Sequence, residues 1–353
     1  ELDVYGAYSG GIVGVVGETN PTNTSAIISC SNAATIRGDI VTDNYYTTVG
    51  GIVGHVQMAT LLADCTNVGK IEDFSIVGSA TGVTAVGGVV GVNRAQSLLM
   101  NCSIGEGAEI RLGEAAKVDA VGGMVGFGFN TVVQGGFVAG SIVANAKLAV
   151  AGLVGRPHST TGHDNLVTFD GCGLYLTECE NTYSEGVTRP YGAGYSSNCQ
   201  MLFKNMTYPD AGAMSMAIPP AYLATGGSAQ KVTIENPTLK DGGHGVFTMP
   251  QGPVTLSLGG GREFYLDGIA LPAKGTLTVQ MADGAKAAFG DCSAQAWEGT
   301  LNIAKTGYAD GDVKFAGLTP AQLAKVTING KAAFVEILVK KGVHYHPDST
   351  AIV

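Results

Sequence analysis

Charge and helix-forming stretches are what this sequence has least of. Acidic and basic side chains make up 14% of 353 residues, and the apolar runs last three to six residues and stop at glycine instead of recurring at helical spacing. That excludes helical repeats, whose units need amphipathic runs of about ten residues or more. Glycine, at 53 residues, lowers helix propensity further. It has no strict third-residue period, which excludes a collagen-type chain. No uncharged apolar run reaches the roughly 18 residues of a membrane-spanning helix. Phosphate-binding loop, nucleophile elbow and HExxH motifs are all missing. The balance of 20 basic against 29 acidic residues, net −9, argues against nucleic acid, anionic membrane surfaces and polyanionic polysaccharide as partners. The chain opens on Glu1-Leu2-Asp3 without a signal peptide or initiator Met, and so reads as a processed or trimmed product.

What is present is a repeat. Gly10 to Gly14 (GGIVG), Gly50 to Gly54 (GGIVG), Gly87 to Gly91 (GGVVG), Gly122 to Gly126 (GGMVG) and Ala151 to Gly155 (AGLVG) are near-copies, with start-to-start steps of 40, 37, 35 and 29 residues. Cys65 and Cys102 each follow their pentapeptide at the same interval, Cys30 and Cys172 occupy similar places after longer spacers, and Gly136 takes that place in the fourth copy. A third run closes each unit: Thr35 to Val41, Lys70 to Val77, Glu109 to Leu112 and Gly140 to Val143. Three short β-type runs per unit, separated by Gly, Asn, Asp and Thr, predict an all-β array built by stacking, a right-handed parallel β-helix.

In such a stack equivalent residues lie one strand spacing apart, about 4.8 Å. Ile12, Ile52, Val89, Met124 and Leu153 form one predicted ladder, and Val13, Val53, Val90, Val125 and Val154 another. Strand alternation sends one into the core and the other outward or against a covering loop. The glycines are read as residues for tight corners. Cys30, Cys65 and Cys102 are expected as reduced core thiols, with a disulfide between neighbouring layers as the alternative; seven cysteines are an odd total, so at least one stays unpaired, and Asn32 and Asn67 are expected as a structural ladder.

Regularity fades from about residue 156, and the segment from Tyr208 to Gly227 is the best boundary. The expected organisation is a β-solenoid of GG-x-VG repeats over 1–210, a linker over 211–229 and a β-rich module over 230–353 that continues the solenoid or follows it. In that module alternating runs such as Val254 to Leu258, Thr276 to Val279 and Phe334 to Val339 are strands. Leu318 to Ala324 alone suggests helix, with Thr319 as N-cap and Pro320 as the first helical residue.

Two resemblances attach to these residues. The units GG-[IVM]-VG, followed by an apolar-polar-Cys strand, resemble the GLUG-type repeats of bacterial surface and secreted proteins over about 150 residues, departing at Ala151. Ala294 to Ile303 (AQAWEGTLNI) and Gly317 to Ile328 (GLTPAQLAKVTI) are similar to β-rich modules of autotransporter-like passengers. Both imply export and a β-solenoid, and neither supplies catalytic residues.

The expectation is an exported bacterial cell-surface or extracellular segment that acts as an adhesin, glycan-binding or scaffold element without catalysis, metal or cofactor. Its partners would be a glycan or a host or cell-surface protein, with self-association at its ends; nucleic acid and a membrane span are not expected. Tyr45, Tyr46, Tyr175, Tyr183, Tyr191 and Tyr195 are the candidate ligand-binding residues, because tyrosine offers a flat amphipathic face for stacking on sugar; Tyr208 falls in the same group. A polysaccharide lyase or glycoside hydrolase is the alternative, with Asp39, Asp43, Asp64, Asp73, Glu109, Arg37 and Arg111 as candidates that alternation places on a solvated face. His344 and His346 share a strand face, with Asp348 as a guessed third ligand, and read as a strand end. A structural filament subunit is a third alternative.

Overall fold

The computed structural model describes residues 1–17, 24–41, 45–77, 82–158, 166–194, 199–219, 231–240, 242–250, 252–309, 311–332 and 351–352. The protein is all-β, and its sheets are mostly parallel. The chain divides into two compact units, one over Glu1–Met201 and the other over Leu202–Pro220 and from Lys231 onward.

In the first unit each repeat sends strands into four parallel sheets. Sheet I holds Tyr8–Gly10, Tyr46–Gly50, Val83–Gly87, Val118–Gly122, Ala146–Ala151 and Val187–Arg189, and sheet II holds Val13–Val16, Val53–Val56, Val90–Asn93, Val125–Phe129 and Val154–His158. Sheet III takes Ser25–Ile28, Thr60–Ala63, Ser97–Met100, Thr131–Gln134 and Leu166–Asp170. Sheet IV holds Ile36–Val41, Lys70–Val77, Glu109–Leu112, Phe137–Ala144 and Gly173–Asn181, with the two-residue strands Ser31–Asn32, Thr66–Asn67 and Ser103–Ile104 paired alongside. The valine ladder is in register, with Val13, Val53, Val90, Val125 and Val154 as successive partners.

Both predicted ladders are buried, which corrects the expectation that one faces outward. Ile52, Val89, Met124 and Leu153 are as inaccessible as Val53, Val90, Val125 and Val154. The cause is a bend at Gly51-Ile52 and its equivalents, so that Ile52 and Val53 belong to a corner and not to one alternating strand. The first layer is the exception, with Ile12 at 44% exposure and Val13 half-buried.

The pentapeptide glycines do stand at a corner, but a left-handed backbone is not the reason. None in the pentapeptides has positive φ. A Cβ on Gly91 would sit 2.5 Å from Gly54 O and 2.8 Å from Val49 O, and one on Gly87 would sit 2.7 Å from Gly126 N. Sheets I and II therefore meet backbone to backbone at this corner, and only glycine leaves room.

The left-handed positions lie elsewhere. Ser29, Asp64, Asn101, Gly135 and Gly171 all have positive φ and stand immediately before Cys30, Cys65, Cys102, Gly136 and Cys172, at the end of each sheet III strand. Asn and Asp tolerate that conformation better than other side chains, which explains the Asp-Cys and Asn-Cys pairs of the repeat. The thiols behind them are free. Cys65 Sγ reaches Ile27 O at 3.4 Å and Cys102 Sγ reaches Leu62 O at 3.4 Å, each touching the preceding layer.

The second unit carries a shorter repeat. Val232, Val254, Leu277, Leu301 and Val326 are successive parallel partners, at steps of 22, 23, 24 and 25 residues, and all are buried. A second sheet pairs Glu263–Leu266, Lys286–Asp291 and Val313–Gly317, with Leu266, Phe289 and Phe315 in register inside. Ala211–Ser215, within the segment read as a linker, is a helix capped by Asp210, whose Oδ1 accepts from Ala213 N at 2.7 Å. The short helix Pro320–Leu323 forms as read, with a capping box between Thr319 and Gln322. The strand expected over Phe334 to Val339 lies outside the described residues.

Candidate functional site

Sheet IV of the first unit opens into a groove of about 480 Å³ between the Gly105–Ala108 turn and the strand Gly173–Asn181. Parallel register builds it. Lys70, Glu109 and Ser141 are successive partners, and Glu178 follows Ser141. The register slips between Gly140 and Ser141, where Thr177 Oγ1 donates to Gly140 O at 2.8 Å. Tyr175 forms one wall. Its ring lies over Gly173, where a Cβ would come 2.5 Å from Cε2, and the residue stays 60% exposed.

The opposite wall is charged. Lys70 Nζ lies 2.9 Å from Glu109 Oε2, Arg111 Nε lies 2.5 Å from Glu109 Oε1, and Arg111 Nη2 lies 3.6 Å from Glu178 Oε2. Hydrogen bonds from Lys70 and Arg111 hold the Glu109 carboxyl below the usual carboxylate range. Glu109 is thus an ionised acceptor at neutral pH, suited to sugar hydroxyls and unsuited to donating a proton.

The remaining carboxylate candidates do not join it. Asp39 accepts from Ser75 Oγ at 2.5 Å, Asp64 accepts from Asn101 Nδ2 at 3.2 Å, and Asp73 sits at positive φ where the strand register shifts. Arg37 pairs at the first layer with Glu1, 2.7 Å, and Asp3, 3.4 Å. Asp43 lies outside the described residues, as do His344, His346 and Asp348.

Nor do the tyrosines form one row. Tyr45, 58% exposed, packs edge-on against Tyr46 at 4.8 Å on sheet I. Tyr183 and Tyr191 are half-buried near the turns that flank Val187–Arg189, Tyr208 is fully buried, and Tyr195 lies outside the described residues. Among the described tyrosines only Tyr175 reaches the groove.

A second cleft, of about 390 Å³, lies in the other unit over the strands Glu263–Leu266, Lys286–Asp291 and Val313–Gly317. Tyr265 stands in it edge-on to His244 at 5.0 Å, flanked by Lys314 and by the pair Lys286–Glu263 at 3.7 Å. Sequence reading missed it because its residues come together only through the shorter repeat. Strand alternation around Tyr265 was the available signal.

Among the described residues no group of three His, Cys, Asp or Glu side chains is placed to hold a metal ion, and no helix is long and apolar enough to cross a membrane. Comparison with protein-family models, with curated proteins and with solved structures found no match.

Proposed function

We propose that the repeats wind into a right-handed parallel β-solenoid of an exported bacterial surface protein, and that this segment binds glycan without cleaving it. The in-register parallel pairing of each repeat's strands in four sheets supports the solenoid. Right-handed winding follows the general preference of parallel crossovers. The GLUG-like pentapeptides support the surface setting.

One observation carries the binding reading: Tyr175 presents an exposed ring across a groove from the ionised Glu109 and Lys70. An aromatic face for the apolar side of a sugar, opposite charged groups for its hydroxyls, is the chemistry a glycan needs. The test is calorimetric titration against a panel of neutral and acidic oligosaccharides, with product analysis of each mixture. Binding without cleavage that weakens at least about tenfold in Tyr175→Ala supports the reading, as loss of one stacked ring is worth about 1–3 kcal/mol by analogy with base stacking. Cleavage of any panel member, lost in Glu109→Gln, would replace it with the enzyme.

A further inference from the structure

Where sheets I and II diverge from their glycine corner, their side chains fill a wedge with an aromatic rim. Val15, His55, Val92, Phe127 and Arg156 are successive partners on sheet II. Sheet I answers with Tyr8 and Tyr46, whose rings meet His55 edge-on at 4.6 and 5.5 Å. His55 is wholly buried, and neither of its ring nitrogens has a hydrogen-bond partner among the described residues.

Two arginines cover this rim. The Arg94 guanidinium lies 4.8 Å above the Tyr46 ring, and that of Arg156 lies 5.3 Å from the Phe127 ring, which also stacks on His158 at 5.4 Å. Arg37, Lys70, Arg111 and Lys147 each face a carboxylate, whereas Arg94 and Arg156 have no ion pair among the described residues. Among the described residues the charges that act on Tyr46 are Arg94, Arg156 and the tyrosines Tyr45 and Tyr8, with no carboxylate among them. A guanidinium stacked on a ring keeps its N–H edge free, and that edge matches a carboxylate in bidentate fashion.

We propose that this rim binds a carboxylate-bearing sugar, with Tyr45 and Tyr46 offering ring surface and Arg94 taking the carboxylate. Arg156 stands two layers further along the stack, about 10 Å by strand spacing, and meets a second acid on an extended glycan. The net charge of −9 disfavours a dense polyanion. It does not disfavour isolated carboxylates, because acids elsewhere on the chain are screened beyond about 8 Å at physiological ionic strength. The inference rests on the glycan-binding reading and names the substrate class of a site apart from the Tyr175 groove.

Three probes test it on the intact chain: an oligosaccharide in which uronic acids alternate with neutral sugars, its uncharged methyl ester with the same rings, and a heparin oligosaccharide. The acid is expected to bind at least about tenfold more tightly than the ester, as one charge-assisted contact provides. Arg94→Gln should remove that preference, Arg156→Gln should reduce it, and Arg94→Lys should restore it only in part. In the unsubstituted protein the acid should shift the Arg94 side-chain N–H resonance, a readout that does not depend on a variant folding. Equal binding of acid and ester, or an acid preference that survives in Arg94→Gln, would overturn the proposal. So would tighter binding of heparin, which marks a site for dense polyanions. If acid and ester bind equally and both are weakened by Tyr175→Ala, this proposal falls and the groove reading stands; if neither binds anywhere, both fall.

Discussion

Asn32 donates through Nδ2 to Asn67 Oδ1 at 2.9 Å, joining two layers through buried side chains. The same carboxamides also face the backbone, with Asn32 Oδ1 accepting from Ala34 N at 3.1 Å and Asn67 Oδ1 from Gly69 N at 3.2 Å. Each therefore holds its own turn and the layer next to it. Asn67→Ala takes one partner from Asn32 Nδ2, which keeps Ala34 O at 3.4 Å, and one from Gly69 N, which keeps Asn32 O at 3.1 Å, so the cost is that of lost hydrogen bonds, about 0.5–1.5 kcal/mol each. Chemical denaturation should show that loss in the midpoint with an unchanged slope.

The glycine corner makes a sharper demand. Gly91→Ala forces a methyl group against Gly54 O and Val49 O, both backbone atoms that cannot turn aside. Overpacking of this kind costs about 1–3 kcal/mol or more. Gly113→Ala is the control, since nothing lies within 4 Å of its added Cβ. Equal melting temperatures for the two variants would contradict the backbone-to-backbone corner.

This contrast shows what was legible in the sequence. The pentapeptides gave the register, because Val53, Val90 and Val125 could only recur as ladder partners if layers stacked. They did not reveal why glycine recurs, since a close approach between sheets depends on the crossing of two strands and leaves no local mark. The 22- to 25-residue repeat of the second unit was missed for a related reason: Val254, Leu277 and Leu301 share position but no pentapeptide. Of the candidate tyrosines, sequence could supply the stacking chemistry but not the outward face, which for Tyr175 is set by the small Gly173 beneath its ring.

Thiol reactivity provides another check. Cys102 is buried with its thiol near Leu62 O, and burial pushes its pKa up to about 12. The thiolate is the reactive form, so Cys102 should resist a thiol reagent at pH 8 in native buffer and react only on unfolding. Cys30, in the first layer, is less buried than Cys65 or Cys102 and should be labelled before them. Peptide mapping after timed alkylation distinguishes the three.

The last prediction concerns acid. Burial, with a smaller contribution from the Arg94 charge, pushes the His55 pKa down to about 4 from an ordinary value of 6.5. The unfolded chain thus takes up a proton on this residue before the folded one does. Stability from neutral His55 is complete above about pH 6.5 and is lost progressively as pH falls toward 4, by up to about 3 kcal/mol. His158 is shifted in the same direction, by burial and then by Arg156, and adds to the slope. Phe127 already occupies the same ladder two layers on, so a phenyl ring is a reasonable replacement between Tyr8 and Tyr46. His55→Phe should flatten the fall in denaturation free energy between pH 6.5 and 4 and leave only the part due to His158 and the carboxylates. A variant whose pH profile runs parallel to that of the unsubstituted protein would show that His55 does not titrate in this window.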